Sequence, residues 1–190
     1  PMMAIFFMLN FIGQLYGVAW VLFSEDAFAW SPTMIGISLA AFGVFHAGAQ
    51  AFVTGPVASR FGERRALLIG IACEATAMLV LAFTTQGWIV FLYMPLFALG
   101  GVGVPALQSM LTNEVSEDKQ GQLQGVLASL ISLSAVFGPV IFSFIYFAVR
   151  HQWPGAIWLT GVALFAVTAP LLLALPRNVD RAGGEAARPH

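Results

Sequence analysis

Ala66-Leu67-Leu68-Ile69-Gly70-Ile71-Ala72-Cys73-Glu74-Ala75-Thr76-Ala77-Met78-Leu79-Val80-Leu81-Ala82-Phe83 is an apolar run with a single carboxylate in its middle. At about 1.5 Å per residue, such a run crosses most of a hydrocarbon layer roughly 30 Å thick. A charged side chain in lipid costs from about 3 to more than 10 kcal/mol, so Glu74 should face a protein interior or a water-filled cavity. Its default reading is therefore a transport or proton-relay site. The structural alternative is a neutral carboxyl held in a hydrogen bond.

Composition extends that reading to the whole chain. Hydrophobic residues make up 59% and charged residues 9%, and the mean hydropathy is +0.85. Soluble domains carry about 25% charged residues, so this chain lacks the ions to cover a water-facing surface. It belongs in a lipid bilayer. The net charge of -1 matters less than where Lys and Arg fall. No basic face exists for nucleic acid. The lone Cys73 excludes an internal disulfide or a CxxC metal site, and inside an apolar helix it reads as packing. No residue set for a metal or a resident cofactor is expected.

Apolar stretches of spanning length recur about six times, approximately Met2 to Phe23, Pro32 to Val53, Arg65 to Phe83, Trp88 to Leu111, Gln122 to Val149 and Ala156 to Leu175. An outer-membrane barrel would instead show alternating segments of about ten residues. The fold class expected is an all-α membrane protein, one bundle over residues 1–176 followed by a tail at 177–190. Short connectors make neighbouring spans antiparallel.

Basic residues gather in every second connector: Arg60, Arg64 and Arg65, then Lys119, then Arg177, Arg181 and Arg188. The opposite side has Arg150, with Glu25 and Asp26 in the first connector. The positive-inside rule then puts both ends in the cytoplasm, and terminal composition predicts a disordered tail. Met2 to Phe23 is too long for a signal peptide and lacks a basic flank and cleavage site. Entry into the first span directly from Pro1 reads as the later part of a longer protein.

Small residues and prolines mark close approaches and bends: Gly13 and Gly17, then Gly100, Gly101 and Gly103 before Pro105, then Gly138 before Pro139. Polar side chains within the spans are few. Asn10 and Gln14 are four apart, as are His46 and Gln50, so each pair shares a helix face. Gln108 and Ser109 follow Pro105, where a kinked helix exposes carbonyls. With Glu74 these groups are candidates for one aqueous cavity. Asn, Gln and Ser also join membrane helices through hydrogen bonds worth only about 0.6 kcal/mol, which is their structural alternative. A buried His is often structural too, yet a group that titrates near neutrality beside a Gln suits proton or substrate handling.

The connector Gly55-Pro56-Val57-Ala58-Ser59-Arg60-Phe61-Gly62-Glu63-Arg64-Arg65 carries more than anchoring arginines. It resembles the helix 2 to 3 connector of the major facilitator superfamily, approximately G-x-x-x-D-R-x-G-R-R, which recurs more loosely between helices 8 and 9. Gly55, Arg60, Gly62, Arg64 and Arg65 match this gate motif, Ser59 replaces its acid, and Glu63 enters ahead of the basic pair. Further runs carry the likeness: Asn10-Phe11-Ile12-Gly13-Gln14, Ser24-Glu25-Asp26, His46-Ala47-Gly48-Ala49-Gln50-Ala51-Phe52-Val53, Gly100-Gly101-Val102-Gly103-Val104-Pro105-Ala106-Leu107-Gln108 and Gln120-Gly121-Gln122-Leu123-Gln124-Gly125. Together they resemble the C-terminal six helices of the tetracycline/proton antiporters of Gram-negative bacteria.

That resemblance implies the C-terminal bundle of a twelve-helix inner-membrane pump. The whole pump would export a tetracycline chelated to a divalent cation such as Mg2+ in exchange for protons, with an N-terminal six-helix half as partner. It implies proton coupling through Glu74 and His46, and substrate contacts from His46, Gln50, Glu74, Asn10, Gln14 and Gln108. The family usually has Asp where this chain has Glu74. Alternatives are another proton-coupled drug exporter of the superfamily, or a non-transporting half-transporter or membrane scaffold. An intramembrane serine protease is not expected: no GxSG is present, and Ser109 has no partner His in the last span.

Overall fold

The computed structural model describes residues 2–174. Among them the chain is helical throughout, with no strand, and six helical stretches are long and apolar enough to cross a membrane. The first is α1 (Met2–Phe28). The second is composite: α2 (Pro32–Ala49), a π-helical segment Gln50–Thr54, and α3 (Gly55–Phe61). The third is α4 (Glu63–Phe83), and the fourth is α5 (Gly87–Gly100) followed by α6 (Gly103–Asn113). The fifth is α7 (Gln120–Val149) and the sixth α8 (Ala156–Leu173). The tail at 177–190, with Arg177, Arg181 and Arg188, lies outside the described residues, as does Leu175.

Boundaries differ from hydropathy where polar residues are satisfied within a helix. The first helix continues past Phe23 through Ser24, Glu25 and Asp26 because the Asp26 carboxylate is met by Tyr146 on α7 and by Arg150 just beyond its end. The second runs beyond Val53 to Phe61, and its connector to α4 shrinks to Gly62, whose φ of 82° is the left-handed conformation that glycine adopts without a Cβ penalty. The start of α2 is conventional: Pro32 enters the first turn and the Ser31 hydroxyl accepts the Met34 N–H at 3.3 Å.

α1 packs along α7 and α8, α4 against α5, α6 and α8, and α2 against α5. Aromatic side chains fill the centre, with Trp20, Phe23, Phe142, Tyr146 and Trp158 buried. The buried Trp20 indole has a partner: its Nε1 donates to Ser38 Oγ at 3.0 Å, and that hydroxyl donates to the Ile35 carbonyl at 2.7 Å, whereas Trp158 Nε1 is buried without one among the described residues. The second span and α7 keep broad apolar faces outside the bundle, including Val44 and Phe52 on one and Val136, Val140 and Phe144 on the other. Such faces suit lipid or a second bundle and not water.

Two polar clusters mark the ends. At one end Glu63 at the start of α4 accepts from Ser109 and Asn113 on α6, and Arg64 donates to the Leu173 carbonyl at the end of α8. At the other, Arg150 meets Asp26 at 2.7 Å, Tyr146 donates to the same carboxylate at 2.6 Å, and Trp153 Nε1 donates to the Ala82 carbonyl at 3.2 Å. The ends alternate along the chain as an up-and-down bundle requires.

Candidate transport site

The break in the fourth span organises the site. Pro105 lacks an N–H, so the carbonyl four residues earlier, that of Gly101, has no helical donor. Gly101 and Val102 make only tight turns, their N–H groups donating to the Ala98 and Leu99 carbonyls. The helix is thus interrupted between Gly100 and Gly103, ahead of Pro105. Gln50 Nε2 supplies the missing donor, reaching the Gly101 carbonyl at 2.8 Å from the second span.

The two glycines at this break each admit a neighbour. A Cβ on Gly100 would sit 2.6 Å from the Cβ of Glu74, and one on Gly101 would fall inside the imidazole of His46. Glu74 on α4, His46 on α2 and Gln50 on the π segment therefore converge on Gly100-Gly101. A π segment widens the helix by one residue, and here it contains Gln50 itself. Thr54, one further turn along, donates to Gln50 Oε1 at 3.1 Å.

Glu74 is half-buried, and among the described residues its carboxylate has neither a hydrogen bond nor an Arg or Lys within ion-pair reach. His46 Nδ1 is buried with no hydrogen-bond partner. Buried polar atoms are ordinarily paired, so the open His46 nitrogen at this break marks a place where a proton or ligand group can be received. Phe42 stands beside the imidazole, ring centroids 5.5 Å apart, and packs in turn on Tyr16 and Phe97. These rings give the site an apolar wall one helical turn from Gly101.

The other candidate residues lie elsewhere. Asn10 turns its amide back onto the Phe6 carbonyl of its own helix at 2.8 Å. Gln14 rests its Cβ and Cγ on Gly138, at the α1–α7 seam, where a Cβ would come within 2.6 Å of it. Gln108 is partly buried on α6, and its neighbour Ser109 is engaged with Glu63. In the connector that carries the expected gate motif, Gly55 opens α3, Arg60 and Arg65 are exposed, Gly62 makes the turn, Arg64 donates to the end of α8, and Ser59 donates to the Pro56 carbonyl at 3.1 Å. The sequence pattern assigns no partner to Thr54, and marks Glu63 only as a departure from the connector motif. The spacing of four from His46 through Gln50 to Thr54 is the signal that identifies the first.

A model of the Major Facilitator Superfamily matches residues 2–190. The chain belongs to that superfamily. Among curated members it is 51% identical over 171 residues to the class C tetracycline resistance protein of Escherichia coli, an alignment covering 90% of this chain and 43% of that one. The class G tetracycline resistance protein of Vibrio anguillarum is 51% identical over 169 residues, covering 89% and 43%. The class B protein of Escherichia coli is 40% identical over 166 residues, covering 87% and 41%. The chain thus spans somewhat under half the length of these facilitator relatives.

Proposed function

We propose that this chain is the C-terminal half of a pump that exports a tetracycline–divalent cation complex across the bacterial inner membrane in exchange for protons. The reading rests on the convergence of Glu74, His46 and Gln50 at the Gly100-Gly101 break, in a chain 51% identical to proteins named for tetracycline resistance. Mg2+ or a similar ion enters as part of the substrate. The second wall of the cavity comes from an N-terminal six-helix half, and no catalytic chemistry is assigned.

The cycle is a competition. A deprotonated Glu74 attracts the cationic drug complex, and protonation from the outside removes that attraction and releases it. Gln50 has two N–H donors; one is given to Gly101 and the other is left for a ligand oxygen. His46 holds an unpaired ring nitrogen for a proton or a ligand group. Exposure alternates as one bundle rocks against the other around the site. Arg60, Arg64, Arg65 and Lys119 lie at the cytoplasmic end and Arg150 at the outer end, which puts both ends of this chain in the cytoplasm.

The test is drug-driven proton movement in vesicles carrying this chain joined to its N-terminal half. Glu74→Gln should bind drug poorly and move no protons with it; coupled exchange at the wild-type rate in that variant overturns the assignment. Resistance conferred by this chain alone, equal to that of the joined pump, would remove the N-terminal half from the proposal.

A further inference from the structure

We infer that Thr54 is a positioning residue of this site: through Gln50 it fixes the break in the fourth span against His46 and Glu74. The inference rests on the transport reading above, but its geometry stands independently. Pro105 deprives the Gly101 carbonyl of a backbone donor, and a carbonyl left open in an apolar bundle is unfavourable. Among the described residues Gln50 supplies the replacement, at 2.8 Å.

A glutamine amide can present either its N–H groups or its oxygen. Only the first can serve a carbonyl. The Thr54 hydroxyl, donating to Gln50 Oε1 at 3.1 Å, draws the amide oxygen away from Gly101 and leaves the nitrogen facing it. Thr54 is itself the last residue of the π segment, and its single hydroxyl hydrogen is shared between Gln50 Oε1 and the more distant Ala49 carbonyl at 3.3 Å. The π turn, the amide and the break in the fourth span are therefore one clasp, closing over the residue on which His46 lies.

Such a clasp ties the bend of the fourth span to the state of the second. When it is closed, Gly101 stays under the His46 ring and Gly100 under Glu74. When Thr54 is lost, the Gln50 amide is free to turn over, the Gly101 carbonyl opens, and the break loosens at the level of both groups.

The experiment uses the joined transporter and two readouts, hydrogen exchange over residues 98–106 and the Vmax and KM of drug-driven proton exchange. Thr54→Val keeps the shape and removes the donor; it should raise exchange over 98–106 by about tenfold, as loss of roughly one hydrogen bond predicts, and lower Vmax more than it raises KM. Thr54→Ser should restore both. Because Thr54 acts through Gln50, Thr54→Val added to Gln50→Leu should change neither readout further. Unchanged exchange over 98–106 in Thr54→Val overturns the clasp, and a loosened break with wild-type transport overturns the positioning role. Should wild-type protein show no drug-driven proton movement, the transport reading fails while hydrogen exchange still decides the clasp.

Discussion

The Cβ of Glu74 occupies the space in which a side chain on Gly100 would stand, with 2.6 Å between it and a Cβ built there. This close approach holds the carboxylate-bearing helix α4 against the broken fourth span. Neither neighbour is flexible at that point, since the contact is backbone against the root of a side chain. Gly100→Ala should therefore force α4 and α5 apart at a cost of about 1–3 kcal/mol, the range for overpacking a close-packed interior. Thermal unfolding in detergent should fall clearly in this variant, with transport reduced alongside it.

Glu74→Asp is the gentler probe. It keeps the charge and the Cβ contact with Gly100, and draws the carboxylate one methylene closer to its own helix. Because charge at this position is what the proposed cycle uses, and the antiporter resemblance implies Asp here, coupled transport by the joined transporter should persist, with KM for the drug shifted several-fold. Initial rates across drug concentrations check it. Complete loss of exchange in this variant would mean that the reach of the side chain, and not its charge, sets the function.

The fold was legible in the sequence because lipid allows few choices: apolar runs of the right length must be helices, and the order of motifs places them in one superfamily. Of the site, His46, Gln50 and Glu74 were visible as polar residues in the wrong solvent. Their meeting point was not. It depends on Pro105 orphaning a particular carbonyl and on Gln50 reaching it from another span, a pairing separated by 51 positions that no periodicity encodes. Asn10 shows the converse: its spacing of four from Gln14 suggests a shared polar face, yet its amide nitrogen turns back to donate to its own helix. Polarity within a span marks a need for a partner without saying whether that partner is a ligand or the adjacent turn.

Glu63 illustrates a residue whose departure from a motif has a local reason. It stands where the connector pattern has no acid, and its carboxylate gathers Ser109 and Asn113 from α6. Ser109→Ala should cost about 0.5–1.5 kcal/mol through the lost hydrogen bond. Adding Ser109→Ala to Glu63→Gln should cost less than the sum, because both remove the same contact. Urea or thermal denaturation of the four proteins in detergent measures the cycle; simple additivity would mean the hydroxyl and the carboxylate do not interact.

Gly13 and Gly17 form a GxxxG pair on α1, the pattern of close helix packing, yet among the described residues no other element comes within 4 Å of a Cβ added to either. Gly138 on α7 is the opposite case, with Gln14 pressed directly upon it. The three positions therefore separate packing inside the bundle from packing against something beyond it. Gly138→Ala should destabilise the isolated bundle by about 1–3 kcal/mol, while Gly13→Ala and Gly17→Ala should leave its unfolding within about 0.5 kcal/mol of wild type. In the joined transporter, an added loss of stability or transport from the α1 substitutions would come from the second half meeting that open glycine face. Loss already present in the isolated bundle would instead show that α1 is packed there differently from the arrangement described.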